Sequence, residues 1–472
     1  MTKHTDLSAC TAAELMTLFD KRKASPVEAL DAVLKRVDAV NPRINAISHL
    51  DAEGARKAAR ASEKRWKKGE ALSPLDGVPA SIKELIRVRG WPTVMGSKMV
   101  DPAGPWDIES PAVTRLREGG AVLFAQTTSP EYGHKGVTES PLHGITRNPW
   151  NLAKTPGGSS GGSAAAVVAG MGPISLGTDG GGSVRLPAAF CGLVGLKATF
   201  GRVPAWPPSL TDTLANTGPM TRTALDAAMT MNLIGRYDAM DDTALPDDGV
   251  DYVMALKGKL KGLKAAWIGR IGDHWIDPEV EKNARDAART VKSLGVKLVE
   301  REAPDTGAPD PRAVWWTHWI GAEQRLLSMF PAEKHASMDE SLRWMADEGR
   351  KVTSDQYVEA RQHARRIGQA WNLLLAEFDV VLMPTLAVRA FDTGMRAPDG
   401  PDGKPNFMWS PYTALFNLTR HPAVSVPSGL TSDGLPTGLQ IVAAHGRDAL
   451  LLRVADKLLA ERPFRVPPLP AA

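Results

Sequence analysis

Cysteine is scarce and long apolar runs are missing. Only Cys10 and Cys191 occur in 472 residues, and neither sits in a CxxC pair. Two thiols are too few for a disulfide framework, so a reducing, cytoplasmic setting is expected. No stretch of about 20 apolar residues exists, which excludes a helix that spans a membrane. The first 30 residues contain Asp6, Glu14 and Asp20 and no apolar h-region, so no secretory signal peptide is expected. The 10 histidines show no HExxH or paired-ligand spacing, which argues against a zinc site. Neither sign of charge dominates: 57 Lys and Arg face 53 Asp and Glu, a net charge of +4. That field is too weak to argue for nucleic acid or an anionic membrane. The basic run RKAARASEKRWKK at 56–68 reads as the solvated face of a helix rather than a nucleic-acid patch.

What is present is globular. Hydrophobic residues make up 43% and charged residues 23%, enough for a large buried core. Length alone suggests about three domains, but no repeat or low-complexity linker divides the chain. One domain over 1–472 is expected, with a helical subregion at about 236–376. Thr11 with Glu14, and Ser25 with Glu28, form capping boxes, the second with Pro26 at the first helical position. Val27, Leu30, Val33, Leu34 and Val37 then recur at helical spacing, and Asn41-Pro42 is expected to stop that helix. Ser110-Pro111 opens another, which Gly119-Gly120 closes. From Gly77 onward short apolar strands alternate with helices. Strands are predicted at 121–126, near 174–177, at 264–271 and 297–302, and in VVLMPT, AVSVPSG and GLQIVAA. Residues 312–376 read as mostly helical. This alternation argues for an α/β fold with a mostly parallel or mixed sheet.

Three segments carry chemistry: GVPASIKELI around Lys83, TPGGSSGGSAAA at 155–166 and GTDGGGSVRLPAAFCG at 177–192. A serine after three glycines can expose its hydroxyl on a tight turn, and the glycine N–H groups can converge on one point. Such a nest suits a developing oxyanion. A serine hydroxyl needs a base, yet these segments contain no histidine of the usual triad motifs. A lysine serves only if neutral, which an apolar setting favours. Lys83, flanked by Ile82, Leu85 and Ile86, meets that condition on paper. On residue chemistry alone three readings stay open: a Ser/Lys enzyme, a phosphate-cradling loop without the GK[ST] ending of a P-loop, and plain structural turns with a snorkelling lysine.

The run NPWNLAKTPGGSSGGSAAAVVAG, followed by GTDGGGSVRLPAAFCGLVGLKATFGRV, resembles the amidase signature family. The upstream GVPASIKELIRVRG is similar to that family's lysine segment, and NLTRHPAVSVPSG with LPTGLQIVA extends the resemblance over most of the chain. It implies a mixed central β-sheet flanked by helices on both faces, with a signature core at about 77–205. It also implies a Ser-cisSer-Lys triad: Ser183 as nucleophile, Ser159 as proton relay behind a cis peptide bond, and Lys83 as base. By the same resemblance the backbone N–H groups of Gly180, Gly181, Gly182 and Ser183 hold the oxyanion, and Asp179 and Arg185 brace the loop. No metal or other cofactor is implied. Two departures stand out. The residue after the lysine, commonly Asp in the family, is Glu84, and the loop QTTSPE at 126–131 differs from the usual wording.

The triad leaves the substrate open, because specificity lives in the site rather than the fold. There are 13 tryptophans, with Trp315, Trp316, Trp319 and Trp409 in the second half. With Tyr132, Phe190, Met408 and Phe416 they are the expected pocket residues, pointing to an aryl or apolar acyl amide, with esters, anilides and carbamates as related chemistry. The resemblance implies a monomer or homodimer acting on a small molecule. One rival reading is the glutamine-hydrolysing A-type component of a tRNA-dependent amidotransferase. Ser410 stands near where that relative carries an acid, which favours a free-standing enzyme. A rival of another class is a non-catalytic nucleotide-binding protein.

Overall fold

Local capping chemistry sets the first helices, as the sequence indicates. In this computed structural model, which describes residues 6–406, 409–464 and 466, Thr11 and Ser25 each complete a capping box ahead of helices Ala12–Asp20 and Pro26–Ile44. The second helix does not stop at Asn41-Pro42. It continues to Ile44 and ends where Asn45 takes a left-handed conformation at φ 56°, which Asn tolerates better than most residues. Pro42 removes one helical bond so close to the end that burial of Val40 and Ile44 outweighs it.

Thirteen strands are described: β1 (Ile47–Leu50), β2 (Pro79–Lys83), β3 (Val122–Thr127), β4 (Glu139–Ser140), β5 (Gly144–Ile145), β6 (Ile174–Asp179), β7 (Val194–Lys197), β8 (Asn216–Thr221), β9 (Lys264–Trp267), β10 (Lys297–Glu300), β11 (Val380–Pro384), β12 (Ala423–Leu430) and β13 (Pro436–Ala443). β4 and β5 form a small hairpin. The other eleven make one mixed sheet in the order β1-β3-β2-β6-β8-β7-β12-β13-β11-β9-β10. β2 runs parallel to both β3 and β6, while β6 and β8 are antiparallel. The βαβ unit read at 264–302 is present, with β9 and β10 parallel around helix Pro278–Ser293.

Both faces of the sheet are covered, so its strands read as unbroken apolar runs. Leu123 of β3 packs in one cluster with helices Pro111–Glu118 and Ala224–Ile234. Its neighbours Val122 and Phe124 pack on the other face, with helices Pro26–Ile44 and Ala52–Lys68. β11 alternates in the same way: Val380 and Leu382 join the first cluster, Val381 and Met383 another beneath helices Pro311–Glu323 and Ser354–Glu377. In β2, Ala80 and Ile82 take the apolar cluster. Period-2 alternation therefore sends Ser81 and Lys83 to the opposite face, where Ser81 Oγ donates to Ser175 Oγ of β6 at 2.9 Å. Among the described residues no helix is long and apolar enough to cross a membrane.

Candidate active site

Lys83 is the last residue of β2, and the loop after β6 begins at Asp179, the end of the neighbouring parallel strand. Carboxyl ends of adjacent parallel strands form the natural crevice of an α/β sheet. Lys83 is fully buried there. Its Nζ donates to Ser159 Oγ at 2.6 Å and to Thr178 Oγ1 at 2.8 Å. Burial pushes its pKa down to about 7 against the opposing pull of Asp179 and Glu84. Loss of water favours the uncharged amine. Desolvation alone does not make a base, however. Lys197 is equally buried and also lowered to about 7, but among the described residues its hydrogen-bond partner is the Ala198 carbonyl, at 3.1 Å.

The two glycine-rich turns are stitched together beside this lysine. The Gly158–Ser159 peptide is cis, and Ser160 N–H donates to the Ser183 carbonyl at 3.1 Å. The Ser160 hydroxyl donates to the Thr178 carbonyl and accepts from its N–H, both at 3.2 Å. An added Cβ at Gly158 would lie 2.7 Å from the Val137 backbone, so the turn needs glycine there. Ser159 and Ser183 are 2% and 7% exposed and open into the same cavity.

Asp179 and Arg185 form a fully buried two-point pair. Nε donates to Oδ2 and Nη2 to Oδ1, each at 2.9 Å. Such fork geometry fixes orientation as well as charge. Arg185 also donates to Gln440 Oε1 and Asn417 Oδ1, both at 2.7 Å. Burial by itself would raise the Asp179 pKa, but the charge and hydrogen bonds of Arg185, the Asn417 amide and the charge of Lys197 hold it well below the usual carboxylate range. The carboxylate then organises the loop: it accepts from the N–H of Gly182 at 2.7 Å and of Val184 at 3.2 Å. This corrects one expectation. The Gly182 N–H is occupied by Asp179 and is not available to an oxyanion. The N–H groups of Gly180, Gly181 and Ser183 have no protein acceptor among the described residues. Trp315 Nε1 donates to the Gly180 carbonyl at 2.9 Å. A trans peptide opposes C=O and N–H, so the Gly181 N–H is turned away from that tryptophan.

The cavity has a volume of about 610 Å3. Of the expected pocket residues, Tyr132 and Trp319 line it. Phe190, Trp409 and Phe416 do not. Phe190 stacks on Trp409 at 5.9 Å, and Phe416 packs edge-on against Trp371 at 5.0 Å, all in the core behind the site. Trp316 is turned to a neighbouring face of its helix, against Trp344. Helical phase decides this: Trp315 and Trp319 share a face and stack at 4.9 Å, while Trp316 is turned about 100° away. Met408 lies outside the described residues. Sequence reading missed Thr178 as second partner of Lys83, and Met329, Phe330 and Glu323 in the cavity wall. The last three fall in the stretch predicted as helical, but nothing in their spacing marks which face meets the site. Among the described residues no group of three or more His, Cys, Asp or Glu is disposed to hold a metal ion.

The amidase family profile matches residues 28–452. The chain belongs to the amidase family. The amidase is 37% identical to an acylamidase of Rhodococcus erythropolis, over 96% of each chain. It is 34% identical to the A-type component of the glutamyl-tRNA(Gln) amidotransferase of Chloroflexus aggregans, again over 96% of each. Among solved structures, a bacterial aryl acylamidase superposes with a TM-score of 0.88 at 28% identity, covering 96% of both chains.

Proposed function

We propose that this amidase is a free-standing serine hydrolase that cleaves carboxylic amides with aryl or apolar acyl groups through an acyl-enzyme on Ser183. The observation that carries the reading is the 2.6 Å contact of a buried, pKa-lowered Lys83 with Ser159, in the cavity that also holds Ser183. Ser183 Oγ attacks the amide carbonyl. Its proton passes to Ser159, whose own proton goes to the lone pair of neutral Lys83 Nζ. The negative oxygen of the tetrahedral intermediate is held by N–H groups of Gly180, Gly181 and Ser183, donors already fixed before charge develops. Return of the proton through Ser159 to the amine nitrogen breaks the C–N bond and releases the amine. Water then adds to the acyl carbon, giving its proton to the same relay, and Ser183 leaves with a proton as the carboxylic acid forms. Esters, anilides and carbamates present the same attackable carbonyl and fall within this chemistry.

The apolar wall of Tyr132, Trp319, Met329 and Phe330 supports aryl or aliphatic acyl groups over small polar ones. The test is direct. Incubation with aryl acyl 4-nitroanilides should release nitroaniline, and quenched protein should gain the acyl mass on Ser183. Ser183→Ala should lose both while keeping its circular dichroism, with a rate roughly a thousandfold or more below wild type. Retained turnover in that variant would refute the assignment.

A further inference from the structure

Four ionisable side chains of the cavity wall, Arg87, Asp101, Glu323 and Lys334, have no part in the steps above. Glu323 closes helix Pro311–Glu323, is 2% exposed and lines the same cavity as Ser159 and Ser183. Its Oε2 is buried and has no hydrogen-bond partner among the described residues. Buried polar atoms almost always find partners, so an orphan carboxyl in a cavity wall points to a partner that arrives with a ligand.

Helix register says where that partner would be. Trp315, Trp319 and Glu323 recur every four residues and share one face. Trp315 holds the Gly180 carbonyl, and the Trp319 ring lies 2.8 Å from where a Cβ on Gly180 would be. Glu323 follows one turn later, about 6 Å along the axis. It therefore addresses a group several bonds from the scissile carbonyl, not the reacting atoms.

The surroundings favour a cation. Glu131 is fully buried nearby, already accepting from Ser97 Oγ at 2.6 Å and Asp339 N–H at 2.5 Å. Burial first, and the charge of Glu131 second, push the Glu323 pKa up to about 8. At neutral pH the free carboxyl therefore keeps its proton, and a cation brought beside it would favour its ionisation. Two cations also line the cavity. Lys334 is engaged with the Met99 carbonyl at 2.8 Å, and Arg87 makes no ion pair with Glu323 among the described residues. Tyr132, Met329 and Phe330 supply the apolar remainder.

We propose that Glu323 is a specificity subsite that binds a primary amine carried on the substrate, so that the enzyme prefers amino-bearing amides to their alkyl isosteres. This rests on the cavity being the amide site.

Two matched series test it. One carries a terminal amine in the acyl half (ω-aminoacyl against alkanoyl 4-nitroanilides); the other carries it in the leaving half (N-acyl diamines against N-acyl alkylamines). In at least one series wild type should favour the amine tenfold or more in kcat/KM. Glu323→Gln should cut that ratio at least tenfold, and Glu323→Asp should keep part of it. No amine preference in either series, or a ratio untouched by Glu323→Gln, overturns the subsite while alkanoyl turnover that depends on Ser183 leaves the amidase reading standing. Turnover independent of Ser183 would overturn that reading instead, and the subsite with it.

Discussion

The carboxylate of Glu84 accepts both the backbone N–H and the hydroxyl of Ser129, at 2.9 and 2.8 Å, while its other oxygen meets His143 Nε2 at 2.8 Å. The two departures from the family wording, Glu84 and the 126–131 loop, are thus one structural unit. The residue next to Lys83 ties down the loop leading to Tyr132 in the cavity wall.

Glu84→Gln should therefore act in two ways. Disturbing a buried, charge-assisted set of hydrogen bonds should cost about 1.5–3 kcal/mol of stability, seen as a lower thermal midpoint. The Glu84 charge also raises the Lys83 pKa. Removing it should move the acidic limb of the kcat/KM profile to lower pH, and a shift to higher pH would contradict this electrostatic coupling.

The wild-type profile itself should fall on the acid side with an apparent pKa near 7. In the proposed relay Lys83 must be neutral to accept the proton, and its pKa is lowered to about 7. Full activity maintained at pH 5 would rule it out as the base.

Stability should respond to the same chemistry. Lys83 and Lys197 are both shifted from 10.5 to about 7. Between those values the unfolded chain binds more protons than the folded one, so stability should rise with pH from about 7 to 10. Denaturant unfolding across that range should give a shallower slope for Lys197→Met than for wild type. An unchanged slope would show that Lys197 titrates normally in the fold.

Asp179→Asn should be severe. It leaves the Arg185 guanidinium buried without its carboxylate, and breaking such a pair costs about 3–5 kcal/mol. It also weakens the acceptor that holds the Gly182 and Val184 N–H groups. Loss of activity in protein still folded at low temperature would separate loop positioning from global stability. Near-wild-type kcat would mean that the loop is held by Trp315 and Thr413, which donate to the Gly180 and Gly181 carbonyls.

Much of this was legible along the chain because the signals are local. Capping boxes, the Gly-Gly stop after helix Pro111–Glu118 and the apolar strand runs each depend on residues a few positions apart. Short β7 was missed because four residues, one a glycine and one a buried lysine, carry no period to read. The pocket aromatics were read poorly for a related reason. Phe190, Trp409 and Phe416 are as apolar as Tyr132 and Trp319, and only position relative to the cavity separates core from wall.

The sequence by itself determined the ingredients: a lysine among apolar neighbours, two serines framed by glycine, and strands that alternate with helices. Those properties follow from side-chain chemistry and near-neighbour backbone freedom. Only the tertiary structure decided that β2 and β6 lie side by side and in parallel, so that Lys83 meets Ser159 and Thr178 out of water. It also decided that Asp179 takes the Gly182 N–H, and that Glu323 faces the cavity with a carboxyl oxygen that has no partner among the described residues. Proton affinity and hydrogen-bond occupancy depend on distances of a few ångströms between residues remote in the chain, and no local pattern encodes them.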